Sequence, residues 1–228
     1  MTDRADSNAG TATGSGASAT LDGVRGVVLA GGRSRRFGSE NKALATLDGT
    51  TLLERAVTAL EAATGAPPLV AVHDEAQRSQ YDAVLDGRDV TYVYDSSDFE
   101  GPVAGLAAAA RAADEAWLFA CGCDMPLVSV DVVRWLGGER AEGDDAVCLE
   151  TDDGPEPLHA LYRRDAVTAA LADLPAAAGL RALLSALPNC RSVAAADAPP
   201  GLDAARSVLN VNTKDALRSL RVDLAGER

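Results

Sequence analysis

With 228 residues, 47% of them hydrophobic and 24% charged, the chain is long enough to build one sizeable core. A formal net charge of −13 excludes a general nucleic-acid binder, because no basic excess offsets phosphate repulsion, but it allows a small phosphorylated ligand held by a local cationic cluster. No apolar run reaches the roughly 18 residues of a membrane span, and the polar N-terminus lacks the apolar centre of a signal peptide. A cytoplasmic protein with reduced cysteines and no membrane partner is therefore expected. Aromatic residues make up only 4%, so small aliphatic side chains must fill the core. An Asp-rich surface almost without lysine resembles proteins of salt-loving microbes; a GC-rich genome favouring Ala, Arg, Gly and Asp codons explains part of the same pattern.

In chain order, residues 1–22 are dominated by Ser, Thr, Ala, Gly and Asp without periodicity and read as a disordered tail. An apolar β run follows over 25–30. Residues 51–63 carry Leu52, Leu53, Ala56, Val57 and Leu60 at helical spacing, ending near Gly65 and Pro67. Strands are expected over 69–72 and 90–94, an alanine-rich helix over 101–113, a strand over 117–121 and a helix over 129–136. Two later strands fall at 146–149 and 158–162, with helices over 164–174 and 180–187. A last strand over 191–194 precedes the closing segment Asn210-Val211-Asn212-Thr213. This alternation implies an α/β fold, a Rossmann-like three-layer α/β/α sandwich with a mostly parallel sheet, in a single domain over 23–228.

Ligands of such sheets sit outside the carboxyl ends of the strands, and the chemically suggestive residues gather there. Gly31-Gly32 follows the first strand, His73-Asp74 the second, Asp95 the third and Cys123-Asp124 the fourth. The first end is the richest: Val27-Val28-Leu29-Ala30-Gly31-Gly32 is followed by Arg33, Arg35, Arg36 and then Lys42. Glycines let backbone N–H groups approach phosphate oxygens, and the cations neutralise them. The chain has only two lysines, Lys42 and Lys214, so one placed just beyond a glycine loop points to a need for a compact ammonium. Two common nucleotide loops are excluded by spacing. After Gly31-Gly32 the next glycine is Gly38, which breaks G-x-G-x-x-G; Gly32 and Gly38 are one residue too far apart for a P-loop, and Lys42 stands four beyond Gly38. Cys121 and Cys123 are two apart, which reads either as a weak metal signal or as small residues packed beneath a site.

The run from Leu29 to Lys42 resembles the L-A-G-G-x-x-x-R-[MF]-G-x-x-K loop of nucleotidyltransferases with a glycosyltransferase-A-like fold, also called nucleotide-diphospho-sugar transferase-like. Gly101-Pro102-Val103-Ala104-Gly105-Leu106 and Cys123-Asp124-Met125-Pro126 look like the G-P-L-A-G-[IL] and C-D-M-P motifs of the molybdenum cofactor guanylyltransferase (MobA) family. Asn210-Val211-Asn212-Thr213 and the residues after it resemble that family's closing N-[VI]-N-T-x-x-[DE]-L. The resemblance covers about residues 25–220.

It implies transfer of GMP from GTP to the phosphate of molybdopterin, with release of pyrophosphate and Mg2+ as cofactor. By the same resemblance Leu29, Ala30, Gly31, Gly32, Lys42, His73, Asp95 and Asp124 bind the nucleotide, while Lys42, Arg36 and Asp124 act in catalysis. Asp124 and Asn212 are the metal-ligand candidates; a helix N-cap role stands as the alternative for each. Arg181 falls where the family has an arginine that meets the second substrate. His73 stands where an asparagine is usual, and Glu156 where a histidine is usual, so base selectivity and the handling of molybdopterin are open points. Molybdenum-insertion proteins and molybdoenzyme chaperones are the implied partners. The competing readings are a nucleotidyltransferase of the same fold acting on another substrate (molybdopterin cytidylyl, or cobinamide-phosphate or phospholactate guanylyl transfer) and a non-catalytic nucleotide-binding protein of cofactor assembly.

Overall fold

A computed structural model describes residues 20–32 and 41–226. Strand β1 (Val24–Leu29) alternates between two cores, with Val24 and Val28 facing one and Val27 and Leu29 the other. A 3₁₀ turn at Lys42–Leu44 leads into a hairpin of β2 (Thr46–Leu47) and β3 (Thr50–Thr51). Its turn residues Asp48 and Gly49 both have positive φ, 51° and 82°, as an Asp-Gly hairpin turn requires. Thr51 is not the first residue of the next helix but its cap. Its hydroxyl accepts from the Glu54 amide while the Glu54 carboxylate accepts from the Thr51 amide, and α1 runs over Leu52–Thr64. Leu53, Ala56, Val57 and Leu60 of α1 are fully buried on the β1 side; each such Leu or Val contributes about 1.5–3 kcal/mol.

The chain continues through β4 (Leu69–Val72), α2 (Glu75–Asp82), β5 (Thr91–Tyr94), α3 (Pro102–Ala112), β6 (Trp117–Gly122), α4 (Val130–Gly138), β7 (Ala146–Thr151) and β8 (Gly154–Arg163). It closes with α5 (Arg164–Leu171), α6 (Leu180–Ala186), β9 (Cys190–Ala194), α7 (Ala204–Ser207) and α8 (Lys214–Gly226). The main sheet has the order β5-β4-β1-β6-β8-β7-β9. Only β8 runs against its neighbours; β7 and β9 are parallel to each other. Helices α1, α2 and α4 cover one face, and α3, α5 and α6 the other. A third small cluster joins Leu47 and Leu52 to Val211, Leu217 and Leu220, and so docks α8 against the hairpin.

The mostly parallel, doubly covered sheet is the expected one. Helix α2 was not anticipated, because Tyr81 is its only fully buried residue. Order also starts before residue 23: the Leu21 amide donates to Ala63 O at 3.0 Å and its side chain packs on the first core. Residues 1–19 of the expected tail lie outside the described residues. Chain connections leave β1 toward β4 and β5 on one side, with β6 on the other. The crevice between the C-terminal ends of β1 and β6 is thus the switch point where such folds bind ligands.

Candidate active site

Three remote segments meet at this switch point. The Cys123 amide donates to Leu29 O at 3.3 Å, which ties the turn after β6 to the end of β1. Asp124 O accepts from the Val211 amide at 2.9 Å, which seats the segment before α8 beside it. Lys42 Nζ then donates to Asp124 Oδ2 at 2.5 Å and to Asn212 Oδ1 at 3.1 Å. The Lys42 and Asp124 side chains are only 14% and 17% exposed, so water screens this pair less than an ordinary surface ion pair. The capping alternatives do not apply. Ser129 caps α4 through the Val132 amide, and the Thr213 hydroxyl accepts from the Ala216 amide in the first turn of α8.

A second cluster lies at the ends of β4 and β5. The Asp95 amide donates to Val72 O at 2.9 Å, and Asp95 Oδ2 stands 3.8 Å from His73 Nδ1. Burial raises the Asp95 carboxyl above its ordinary range, and the neighbouring His73 offsets part of that rise. Gly31 allows a close approach here. A Cβ on it would fall 2.1 Å from Asp95 Oδ2, well inside contact distance. Gly105 of α3 completes the enclosure: a Cβ there would meet Ala71 and Leu29 at 2.8 and 2.9 Å and Asp95 Oδ1 at 3.2 Å. Among the described residues, nothing lies within 4 Å of the Cβ position of Gly32. Asp74, which the sequence grouped with His73, caps α2 by accepting from the Gln77 amide at 2.8 Å.

Ala30 is buried, and its carbonyl accepts from the Tyr81 hydroxyl at 2.9 Å; the hydroxyl also lies 3.4 Å from Asn41 Oδ1. Asn41 in turn accepts from the Ala43 amide at 3.1 Å and starts the turn that carries Lys42. Tyr81 and Asn41 therefore tie Ala30, at the end of β1, to the turn that carries Lys42. Sequence reasoning missed both; the one available signal was a lone aromatic in a polar stretch. Arg36, with Arg33 and Arg35, lies outside the described residues. Arg181 belongs to neither cluster. It is exposed on α6, with Nη1 3.5 Å from the Cβ position of Gly154, the first residue of β8. Glu156 Oε1 accepts from the nearby Leu158 amide at 3.0 Å.

Cys121 and Cys123 are buried in the first core, packed beneath the site, and burial pushes both thiols up, Cys123 to about 12. Among the described residues no group of three or more His, Cys, Asp or Glu side chains could hold a metal ion. The oxygen pair of Asp124 and Asn212 does converge on one cationic nitrogen. That donor set fits a hard cation that draws its remaining ligands from substrate phosphate and water. No helix among the described residues is long and apolar enough to cross a membrane.

The sequence pattern of the MobA-like NTP transferase domain family matches residues 26–191. A probable molybdenum cofactor guanylyltransferase of Haloferax mediterranei is 35% identical over 201 residues, covering 87% of this chain and 93% of that protein. One from Methanothermobacter thermautotrophicus is 36% identical over 205 residues, covering 87% and 98%. Among solved structures, molybdopterin-guanine dinucleotide biosynthesis protein A of Archaeoglobus fulgidus superposes with a TM-score of 0.73 at 25% identity, covering 90% of this chain and all of that one.

Proposed function

The chain belongs to the MobA-like NTP transferase family of nucleotidyltransferases, and on that premise we propose that it transfers GMP from GTP to the terminal phosphate of molybdopterin, releasing pyrophosphate. The observation that carries this reading is the convergence of Lys42, Asp124 and Asn212 at the switch point, a cation and two oxygen donors where a triphosphate would lie. A phosphate oxygen of molybdopterin attacks the α-phosphorus of GTP. The new P–O bond forms as the bond to the β-phosphate oxygen breaks, and the electron pair leaves with pyrophosphate. The substrate phosphate is itself the nucleophile, so the protein needs no covalent intermediate. Its work is alignment of two polyanions and neutralisation of charge.

Lys42 neutralises charge developing on the phosphates, and the backbone of Gly31-Gly32 offers N–H donors to them. Asp95, enclosed by Gly31 and Gly105 with His73 beside it, holds the nucleoside end. Asp124 and Asn212 would hold the Mg2+ of this reading, which when bound supplies Lewis-acid polarisation of the phosphate oxygens. Arg36 serves the leaving pyrophosphate and Arg181 the phosphate of molybdopterin. The molybdenum-insertion proteins and molybdoenzyme chaperones that would supply and receive such a product are proposed as soluble cytoplasmic partners.

Pyrophosphate release tests the reading directly. GTP, Mg2+ and molybdopterin together should give one pyrophosphate per guanylylated product, and GTP should raise the unfolding temperature more than CTP or ATP. Preferential protection and turnover by CTP would overturn the guanine assignment, on which the His73 substitution bears. Nucleotide binding without pyrophosphate release would reduce the protein to a carrier.

A further inference from the structure

Behind the Lys42–Asp124–Asn212 cluster lies a buried polar chain that none of the roles above uses. His159, on β8 opposite Cys121 of β6, is fully buried; its ring meets the Phe119 ring edge-on with centroids 5.1 Å apart. His159 Nε2 stands 3.3 Å from Ser207 Oγ, and Nδ1 has no hydrogen-bond partner among the described residues. Ser207, the last residue of α7 and itself 1% exposed, accepts through the same Oγ from the Ser129 amide at 2.9 Å. The position of Ser207 is what gives the chain its meaning. Ser129 ends the turn that begins at β6 and carries Asp124. Ser207 begins the segment that carries Asn212. One hydroxyl thus joins the two strips of backbone that supply the oxygen pair. Asp124 O and the Val211 amide join them again at 2.9 Å, nearer the cluster.

We infer that Ser207 and His159 are positioning residues that hold the Asp124 turn and the Asn212 segment in register around the reacting phosphates. The chemistry is economical. A serine hydroxyl that accepts from the Ser129 amide has its own proton to place, and the only acceptor it meets among the described contacts is the His159 ring. The buried ring therefore sets the direction of the hydroxyl, and an apolar replacement of the same size leaves the hydroxyl with no defined orientation. Among the described residues this histidine keeps one unpartnered nitrogen inside an apolar core, an arrangement that costs stability. The functional half of the inference rests on the proposed nucleotidyl transfer; the structural half does not.

The test uses the full chain and three variants, Ser207→Ala, His159→Leu and His159→Gln. Amide hydrogen exchange, measured without substrates, should show the Val211 N–H exchanging about tenfold faster in Ser207→Ala and His159→Leu, with the amides of β1 unchanged. Turnover should fall about tenfold in the same two variants through kcat rather than the KM for GTP. His159→Gln, which keeps a polar group near the Nε2 position, should recover most of both. An unmoved Val211 amide overturns the bridge, and uniform acceleration of every amide reduces the pair to core packing. Faster Val211 exchange at unchanged kcat overturns the positioning role. A wild-type protein that exchanges as expected but transfers no nucleotide refutes the proposed reaction instead.

Discussion

Gly31→Ala is the substitution whose outcome the structure specifies most tightly. The added methyl would sit 2.1 Å from Asp95 Oδ2 and 2.8 Å from its Cγ. Optimal contact between heavy atoms lies near 3.5 Å, so the carboxylate or the loop must retreat by about 1 Å or more. Overpacking of this kind costs about 1–3 kcal/mol, which for a chain of this length lowers the unfolding temperature by roughly 2–12 °C. A displacement of about 1 Å in a substrate-positioning group costs up to about a hundredfold in turnover. The decisive measurement is a double-mutant cycle by denaturant unfolding. Asp95→Ala removes both offending oxygens, so Gly31→Ala should be almost silent for stability in that background, giving a coupling of about 1–3 kcal/mol. Activity should stay low in the double variant, because Asp95 itself is gone. An equal stability loss from Gly31→Ala with and without Asp95, or no loss in either, would refute the close-approach argument.

Lys42→Ala should remain folded and lose at least about tenfold in turnover, the scale expected for removing one charge-stabilising group; unchanged turnover in a pyrophosphate assay would contradict its placement on the phosphates. His159 is held neutral by burial, with its protonation moved down to about 3 from an ordinary 6.5. The unfolded chain therefore takes up this proton first, and its contribution to stability falls as pH drops from about 6.5 toward 3, by about 1.4 kcal/mol per pH unit. Denaturation curves of His159→Gln should lack that added acid sensitivity, about 2 kcal/mol at pH 5, and parallel pH profiles would exclude it. Because the chain carries a net charge of −13, raising KCl from low to molar concentration should raise the unfolding temperature by screening self-repulsion; a flat or falling profile would argue for codon bias alone behind the acidic composition.

Much of this fold could be read from residue spacing, and the failures have physical causes. The strands at β1, β4 and β6 are buried apolar runs bounded by turn residues, so periodicity and punctuation agreed; β5, with only Val93 buried, showed through its β-branched and aromatic residues. Helix α2 hid because Glu75-Ala76-Gln77-Arg78-Ser79-Gln80-Tyr81-Asp82 presents a single fully buried side chain, too few to show a period. It is held instead by the Asp74 cap and the Tyr81 anchor on Ala30. The reversed direction of β8 was equally hidden, since an antiparallel strand in a covered sheet has the same apolar character as a parallel one. Within the site, Lys42, Asp124 and Asn212 were named from motifs, yet their meeting could not be seen. Separations of 82 and 170 residues leave no local trace. The same holds for Ser207 and His159, which become meaningful only when three segments are folded together. The carboxylate behind Gly31 was likewise invisible, because the glycine had been read against phosphate alone.

The long reach of the site has a kinetic consequence. Closing a contact across 170 residues carries a large loop-entropy cost unless intervening structure shortens the loop, so the Lys42–Asn212 contact should form only after the sheet is in place. Lys42 and Asp124 can meet once β6 has docked on β1, whereas Asn212 arrives with the last elements of the chain, after β9 and α7. A refolding or newly synthesised chain should therefore recover its secondary structure well before its oxygen pair is complete. Catalytic competence should return in the slowest phase, and it should be the first property lost when the C-terminal elements fray.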